Sequence, residues 1–510
     1  MKYKLYIVLL LVISQKAISQ IPEEALRLSW TSNNGTARNQ AIGGAMASLG
    51  GDATANIINP AGLAFFKTSD FVLSPAYQFD KGKGSFRGTS SKGSSLGKFN
   101  LGTTGWVFGG LGYNGKSALG LTVTQTANFN QNVYYKGKNN YSSFAEPLAD
   151  EFANSGLTID EALNSDYISL QTKMALYTYL IDTATVNGSS QVIARPENAS
   201  IADQENIINT RGGITDITLG LAEEISKKFM VGGSLGIPIL KLDKHSVFTE
   251  SDASGDNNND FGYLRYTEDY RLTGVGINFK GGFIYRPKEY IRLGFAFHTP
   301  SWIMAKESFT SKMVGDVENL FGAGKGVDSV QSTVFTNNQT PKNKYVVSSP
   351  SKLIISGSYV FREVEDVTRQ KGFITADIEY TNYKWMKFAP QDESTTADVF
   401  DPYNKAIDAI YKGAFNFKVG GELKFKIFMV RAGFAYFGDP YKDKELKGRR
   451  MNLSGGLGYR NKGMFIDLTY VHHLNKDVNF PYRVNPPRQN TYAALNDNGG
   501  NVLLTLGFKI

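Results

Sequence analysis

Residues 110–117 read GLGYNGKS, and Gly110, Gly115, Lys116 and Ser117 match the G-x-x-x-x-G-K-[ST] spacing that cradles a nucleotide phosphate. That chemistry needs a helix whose first N–H groups face the anion. The residues after Ser117 alternate instead, with Leu119, Leu121 and Val123 against Gly120, Thr122 and Thr124, which is a strand period. Tyr113-Asn114-Gly115-Lys116 therefore reads as a tight hairpin, its Asn-Gly supplying two positive-φ positions. Other reactive sets are equally thin. The histidines are His245, His298, His472 and His473. His472 and His473 point to opposite faces of a strand, so they cannot both ligate one haem iron. His298 has no Ser placed beside it by sequence for a Ser–His–carboxylate set, and no enzyme is expected. The run DASGDNNND at 252–260 lacks the EF-hand glycine, because the sixth position from Asp256 is Phe261, and reads as a solvated loop. No cofactor and no metal are expected.

The charges that remain sit inside alternating segments. In 291–298, Ile291, Leu293, Phe295 and Phe297 oppose Arg292, Gly294 and His298. In 373–381, Ile374, Ala376, Ile378 and Tyr380 oppose Asp377 and Glu379, and in 464–470 the apolar set opposes Asp467. Fourteen such segments are expected, near 69–80, 98–112, 116–129, 213–224, 228–248, 262–285, 289–312, 346–362, 371–388, 412–424, 427–438, 448–460, 463–476 and 500–510. Their connections alternate between long and short, with short ones at 113–115, 226–227, 287–288, 363–370, 425–426 and 461–462. An even strand number with every long loop at one end is the pattern of an outer-membrane β-barrel. A Lys or Arg on the lipid face costs about 2–4 kcal/mol at the bilayer midplane, so Lys280, Arg292, Asp377, Glu379, Lys418, Glu422, Arg431 and Asp467 belong in the lumen.

Bulk composition agrees. The chain has 510 residues and no Cys, which excludes disulfides, thiolate metal sites and a lipidated N-terminal Cys. No apolar run reaches the roughly 18 residues of a membrane helix. Residues 1–19 have a basic start, a short apolar core and Ala17-Ile18-Ser19, the layout of a secretory leader. Loss of Lys2, Lys4 and Lys16 with that leader takes the formal charge from +8 to +5. So mild a charge, with no basic stripe, argues against nucleic acid as a partner. In the long loop 130–212, Thr158 and Glu161 form a capping-box pattern, and Phe144, Leu148, Phe152 and then Leu170, Met174, Tyr177 recur at helical spacing. Asp401-Pro402 begins a second loop helix.

Three stretches carry a family resemblance. Residues 38–66, RNQAIGGAMASLGGDATANIINPAGLAFF, are rich in small residues and hold an Asn-Pro-Ala turn at 59–61. Residues 272–302, LTGVGINFKGGFIYRPKEYIRLGFAFHTPSW, place Gly274, Gly276, Asn278, Gly282, Tyr285, Pro287, Arg292, Gly294 and Pro300 in a recurring pattern, with Thr299 where Ser is usual. A third, ADIEYTNYKWMKF at 376–388, has the matching aromatic strand end. In this order they resemble the FadL/TodX family of outer-membrane transport proteins, although the last residue is Ile510 rather than an aromatic.

The resemblance implies an all-β transmembrane barrel of about 14 strands, located in the outer membrane of a Gram-negative bacterium. It implies a plug at 20–68 inside a barrel at 69–510, with long, partly helical outer loops. It further implies uptake of hydrophobic compounds, long-chain fatty acid as the type ligand, a plug that moves when ligand binds, and release through a side gap at a kinked strand. Pro75 and Pro238 are the strand prolines that could mark such a gap. Partners expected on this basis are the hydrophobic ligand, outer-membrane lipid and the barrel-assembly machinery. A ligand carboxylate needs a lumen cation, and Lys280, Arg292, Lys418 and Arg431 are the candidates. Asn59, Pro60, Ala61 and Gly62 are the candidate plug hinge. Rival readings are an open porin, a haem-uptake receptor, and a barrel whose 130–212 loop binds another protein.

Overall fold

The computed structural model describes residues 22–510 except 31, 33, 113, 114, 187, 323, 362–370 and 393–395. The expected leader and the turn at 363–370 lie outside the described residues. Fourteen antiparallel strands form one closed wall. They are β1 (Asp70–Leu73, Pro75–Phe86), β2 (Leu96–Leu101, Thr104–Leu111), β3 (Ser117–Asn128, Gln131–Asn139), β4 (Ala202–Ser226) and β5 (Phe229–Asp252). Then come β6 (Tyr263–Lys288), β7 (Ile291–His298, Trp302–Asp316), β8 (Lys342–Ser348, Lys352–Phe361) and β9 (Gly372–Asn382, Lys387–Pro390). The last are β10 (Gly413–Phe425), β11 (Phe428–Phe437), β12 (Arg450–Asn461), β13 (Met464–Asn479) and β14 (Ala493–Lys509). Each strand pairs with its neighbour in sequence, and β14 returns to β1 in the register Phe71↔Phe508 and Tyr77↔Val502. Closure leaves no edge for lipid to strip, the condition for a sheet to cross a bilayer.

The outer face carries an apolar belt near the short turns. On β5 the outward residues from Phe229 to Ile239 include Val231, Leu235 and Ile237, matching the roughly 9–11 residues a tilted strand needs to cross. Inward positions hold the charges expected there: Arg292, Asp377, Glu379, Glu422, Arg431 and Asp467 are all buried. Ser117 opens a strand rather than a helix and pairs with Leu111, so the motif is no phosphate loop; Tyr113 and Asn114 of the expected turn lie outside the described residues.

Several strands outrun their expected ends. Gln131–Asn139 and Ala202–Thr210 pair with each other, so the long loop spans about 140–201 rather than 130–212. β4, β5 and β6 climb well past the belt. In ADQENIINT the buried face itself carries Gln204, Asn206 and Thr210, so the stretch lacks the apolar alternation that reveals a strand. The loop itself folds as α4 to α6 (Glu146–Ser155, Ile159–Asn164, Leu170–Tyr177) plus a hairpin of Ile181–Val186 and Ser189–Ala194. Its capping box forms as expected, with Thr158 Oγ1 accepting from Glu161 N and the Glu161 carboxylate accepting from Thr158 N. Asp401–Ile410 is a helix, α7.

Candidate ligand pathway through the lumen

Residues 22–68 fill the barrel. They hold α1 (Pro22–Ser29), α2 (Ala37–Ala41), α3 (Ala55–Ile58) and a 3-10 turn at Pro60–Phe65. Small residues let their backbone reach the wall. A Cβ on Gly433 would lie 2.1 Å from the nitrogen of Gly43, and one on Gly420 would lie 2.3 Å from the oxygen of Ile42. The inner wall then grips backbone atoms. Asp377 Oδ2 accepts from Met46 N and Ala47 N at 3.0 and 3.2 Å. Thr469 Oγ1 donates to Ala37 O at 2.6 Å, and Ser454 Oγ to Ala41 O at 3.1 Å.

The hinge candidates lie where this grip reaches β6 and β7. Asn59 Nδ2 donates to Ala47 O at 2.6 Å and to the wall carbonyls of Phe283 and Phe295 at 3.2 and 3.3 Å. Asn59 Oδ1 accepts from Ala61 N, capping the turn in which Pro60 takes the first position, where its missing N–H costs nothing. Pro60, Ala61 and Gly62 are buried.

The four candidate cations divide into two pairs. Arg431 bridges Glu422 and Asp467, each at 2.6 Å, and is fully enclosed. Arg292 donates to Leu49 O at 2.6 Å and lies 4.7 Å over the Phe65 ring. Both are committed to the plug or the wall beneath it. Lys280 pairs with Asp216 at 2.9 Å and Lys418 with Glu379 at 3.0 Å, and both line a cavity of about 130 Å3 bordered by Leu28 of α1 and by Ile57 and Ile58 of α3. Lys352, 4.0 Å from Glu379, and His298, whose Nε2 lies 2.8 Å from Ile58 O, line the same cavity. Sequence reasoning missed Lys352 because it opens the second segment of β8, after an interruption at 349–351 that shifts nothing visible in the alternation.

A second cavity of about 200 Å3 lies toward the outer mouth, lined by Trp30, Phe129, Tyr441, Arg450 and Asp477 among others. Leu26 of α1 lines this cavity and Leu28 lines the lower one, so α1 stands between them. Ala25, Leu26 and Leu28 are buried in an aromatic cluster with Tyr270, Phe309, Tyr345, Phe388 and Phe400. Its acidic first turn is tied to the wall through Glu24 and Lys244 at 4.0 Å, and to the loop between β13 and β14 through Glu23 and Arg483.

The wall has one long unpaired seam among the described residues. β2 and β3 pair only from Thr104↔Val123 to Leu111↔Ser117. Above that point Leu96–Leu101 pairs with β1 alone and Gln131–Asn139 with β4 alone. Plug backbone and side chains stand in for the missing ladder. Ser32 N donates to Thr126 O, Thr103 N donates to Gly35 O, and Asn34 Nδ2 donates to both Leu101 O and Gln125 O at 2.8 Å. Lys98 Nζ to Asn130 Oδ1 at 2.8 Å spans the seam higher up. The strand prolines mark less. Pro75 starts the second segment of β1 and pairs with Leu101, while at Pro238 the β5–β6 pairing skips only from Gly236↔Asn278 to Ile239↔Val275.

No family model matches the chain, and no curated protein matches it. Solved structures do. A Pseudomonas aeruginosa FadL homologue aligns at TM-score 0.55 and 14% identity over 94% of this chain and 99% of its own. The Pseudomonas putida toluene transporter TodX aligns at 0.53 and 13% over 94% and 99%. The Ralstonia pickettii toluene transporter TbuX aligns at 0.50 and 13% over 95% and 100%. The chain thus has the fold of these channels end to end. A closed barrel with this belt and this fold resides in the outer membrane of a Gram-negative cell.

Proposed function

We infer that the chain is an outer-membrane channel for uptake of hydrophobic compounds, not an enzyme, and that a long aliphatic acid is its substrate class. The placement of α1 carries this reading: two leucines of the plug occupy an aromatic chamber between two cavities. A ligand entering that chamber must displace them. Re-exposing two Leu side chains costs about 3–6 kcal/mol, at about 1.5–3 each. A tail of about fourteen methylenes gains about 11 kcal/mol at about 0.8 per CH2, enough to cover that cost and the loss of freedom on binding. A single aromatic ring gains too little to do both. The acid head would then meet Lys280, Lys418 and Lys352 in the lower cavity.

Displacement of α1 pulls on Ser32 and Asn34, three to five residues beyond its end, and these are the residues that seal the β2–β3 seam. In this reading ligand entry and seam opening are one motion, with Asn59 to Gly62 as the fixed pivot. The test is direct: extract the purified protein with organic solvent, identify what co-purifies by mass spectrometry, and titrate the delipidated protein with an aliphatic acid and with toluene. Saturable binding of the acid with weaker binding of toluene supports the reading. Tighter toluene binding, or no binding of either, removes it.

A further inference from the structure

The outward face of β5 to β8 changes character within one register step. The row Ile239↔Val275↔Met304↔Val346 runs across the four strands and belongs to the apolar belt. Two residues farther from the short turns, the same strands present Lys241↔Thr273↔Lys306↔Lys344, all exposed. The next row adds Asp243, Arg271, Ser308 and Lys342.

The acids in these rows do not balance the bases. Asp243 is shared by Arg271 at 2.6 Å and Lys241 at 3.7 Å. Lys306 and Lys344 face each other directly across a ladder and make no ion pair among the described residues. Like charges so placed destabilise a sheet, so an isolated barrel has no use for them. At midplane depth each would be costly, but at the belt's rim most of that cost disappears. Neighbouring strands lie about 4.8 Å apart, so the two ammonium groups can converge on one tetrahedral anion. Lysine serves such a site as a mobile point charge.

We propose that Lys306 and Lys344, flanked by Lys241 and Lys342, bind the phosphate groups of the phosphorylated glycolipid that forms the outer leaflet around this barrel. The location selects the partner. The rows adjoin the belt on the long-loop side, where headgroups of the outer leaflet meet the wall, and an anionic lipid surface attracts each nearby Lys.

The test uses the full-length barrel in detergent, with lipid A as the phosphorylated probe and the same lipid stripped of its phosphates as the reference. The parent is expected to prefer the phosphorylated form by at least about tenfold at low salt, and the preference should shrink as salt rises. Lys306→Ser with Lys344→Ser should lose most of that preference while keeping heat-modifiable migration, the sign of a folded barrel. Lys405→Ser with Lys444→Ser, which removes the same charge from the loops, should behave like the parent. Equal affinity of parent and Lys306/Lys344 variant, equal binding of the dephosphorylated lipid by the parent, an equal loss in the loop control, or equal competition by phosphatidylglycerol would each overturn the assignment.

Discussion

The Asn34 side-chain amide donates to the Leu101 carbonyl at 2.8 Å, so a residue of the plug completes the hydrogen bonding of a strand in the wall. The same amide reaches Gln125 O on the far side of the seam, and its own oxygen accepts from Gln40 Nε2 at 2.6 Å. A wall whose seam is closed by its plug would not keep the seam shut if the plug moved.

Asn34→Leu keeps the size of the side chain and removes both donors. The barrel should still assemble, because its ladders do not use this residue. Single-channel recordings in planar bilayers should show a several-fold rise in open events relative to the parent. An unchanged recording would mean that Ser32, Gly35 and Lys98 seal the seam without Asn34.

Lys280→Met leaves buried Asp216 without its cation, a loss of about 3–5 kcal/mol, while Lys418→Met leaves Glu379 with Lys352 at 4.0 Å and costs less. Both variants should unfold earlier on heating. If these lysines read the acid head, affinity for an aliphatic acid should fall while affinity for the corresponding alcohol holds. Arg431→Met should destabilise the barrel without this acid-selective loss, because its two carboxylate partners already saturate it. Parallel loss of acid and alcohol binding in all three variants would place the head-group contact elsewhere.

Asn59→Ala removes three donor contacts that join the plug to itself and to β6 and β7. Ion conductance should rise and uptake of hydrophobic substrate should slow, with heat-modifiable migration retained. Deletion of 38–58 should show the same change more strongly. A deleted variant with the parent's conductance would show that these residues do not occlude the lumen.

The outer loops should respond to pH through Glu250, which lies far above the belt. Burial pushes its carboxyl up to about 7, against the Phe144 N–H that donates to Oε2 at 3.0 Å. The folded lobe therefore binds more protons than the unfolded chain between about pH 4.5 and 7, and its stability falls as pH rises through that window. Above about 7 both states are ionised and the penalty stays constant. Hydrogen exchange of residues 144–155 should quicken from pH 5 to 7.5, and Glu250→Gln, which keeps an acceptor for Phe144, should flatten that profile. A wild-type profile that matches the Gln variant, after correction for intrinsic exchange, would exclude this residue as the cause.

The belt was legible because lipid on one side and a polar lumen on the other force strict alternation, as in Ile374, Ala376 and Ile378 against Thr375, Asp377 and Glu379. Strand ends beyond the bilayer were not, since in 202–210 the buried face itself is mostly polar, with Gln204, Asn206 and Thr210 beside Ile208. The lumen charges were legible as a set, but their division was not. Nothing in the local spacing separates Arg431, locked between two acids from other strands, from Lys418 beside a cavity. Asn34 sits in SNNG, which by itself reads as a turn, and its role appears only when residues about 67 and 91 positions away are brought beside it. α1 is too short for a periodic signal, and only the acidic pair Glu23-Glu24 hints at a helix start.

Part of the wall's hold on the plug falls on backbone atoms. Asp377 grips two amide nitrogens, while Thr469, Ser454 and Arg292 grip carbonyl oxygens. A substitution in the plug that stays small leaves every one of these bonds in place. At those positions size matters more than identity, so sequence there is free to drift while the path of the chain stays fixed, whereas Asn34, Asn56 and Asn59 reach the wall through their own amides. That tolerance offers a physical route by which two chains can share one architecture at 14% identity.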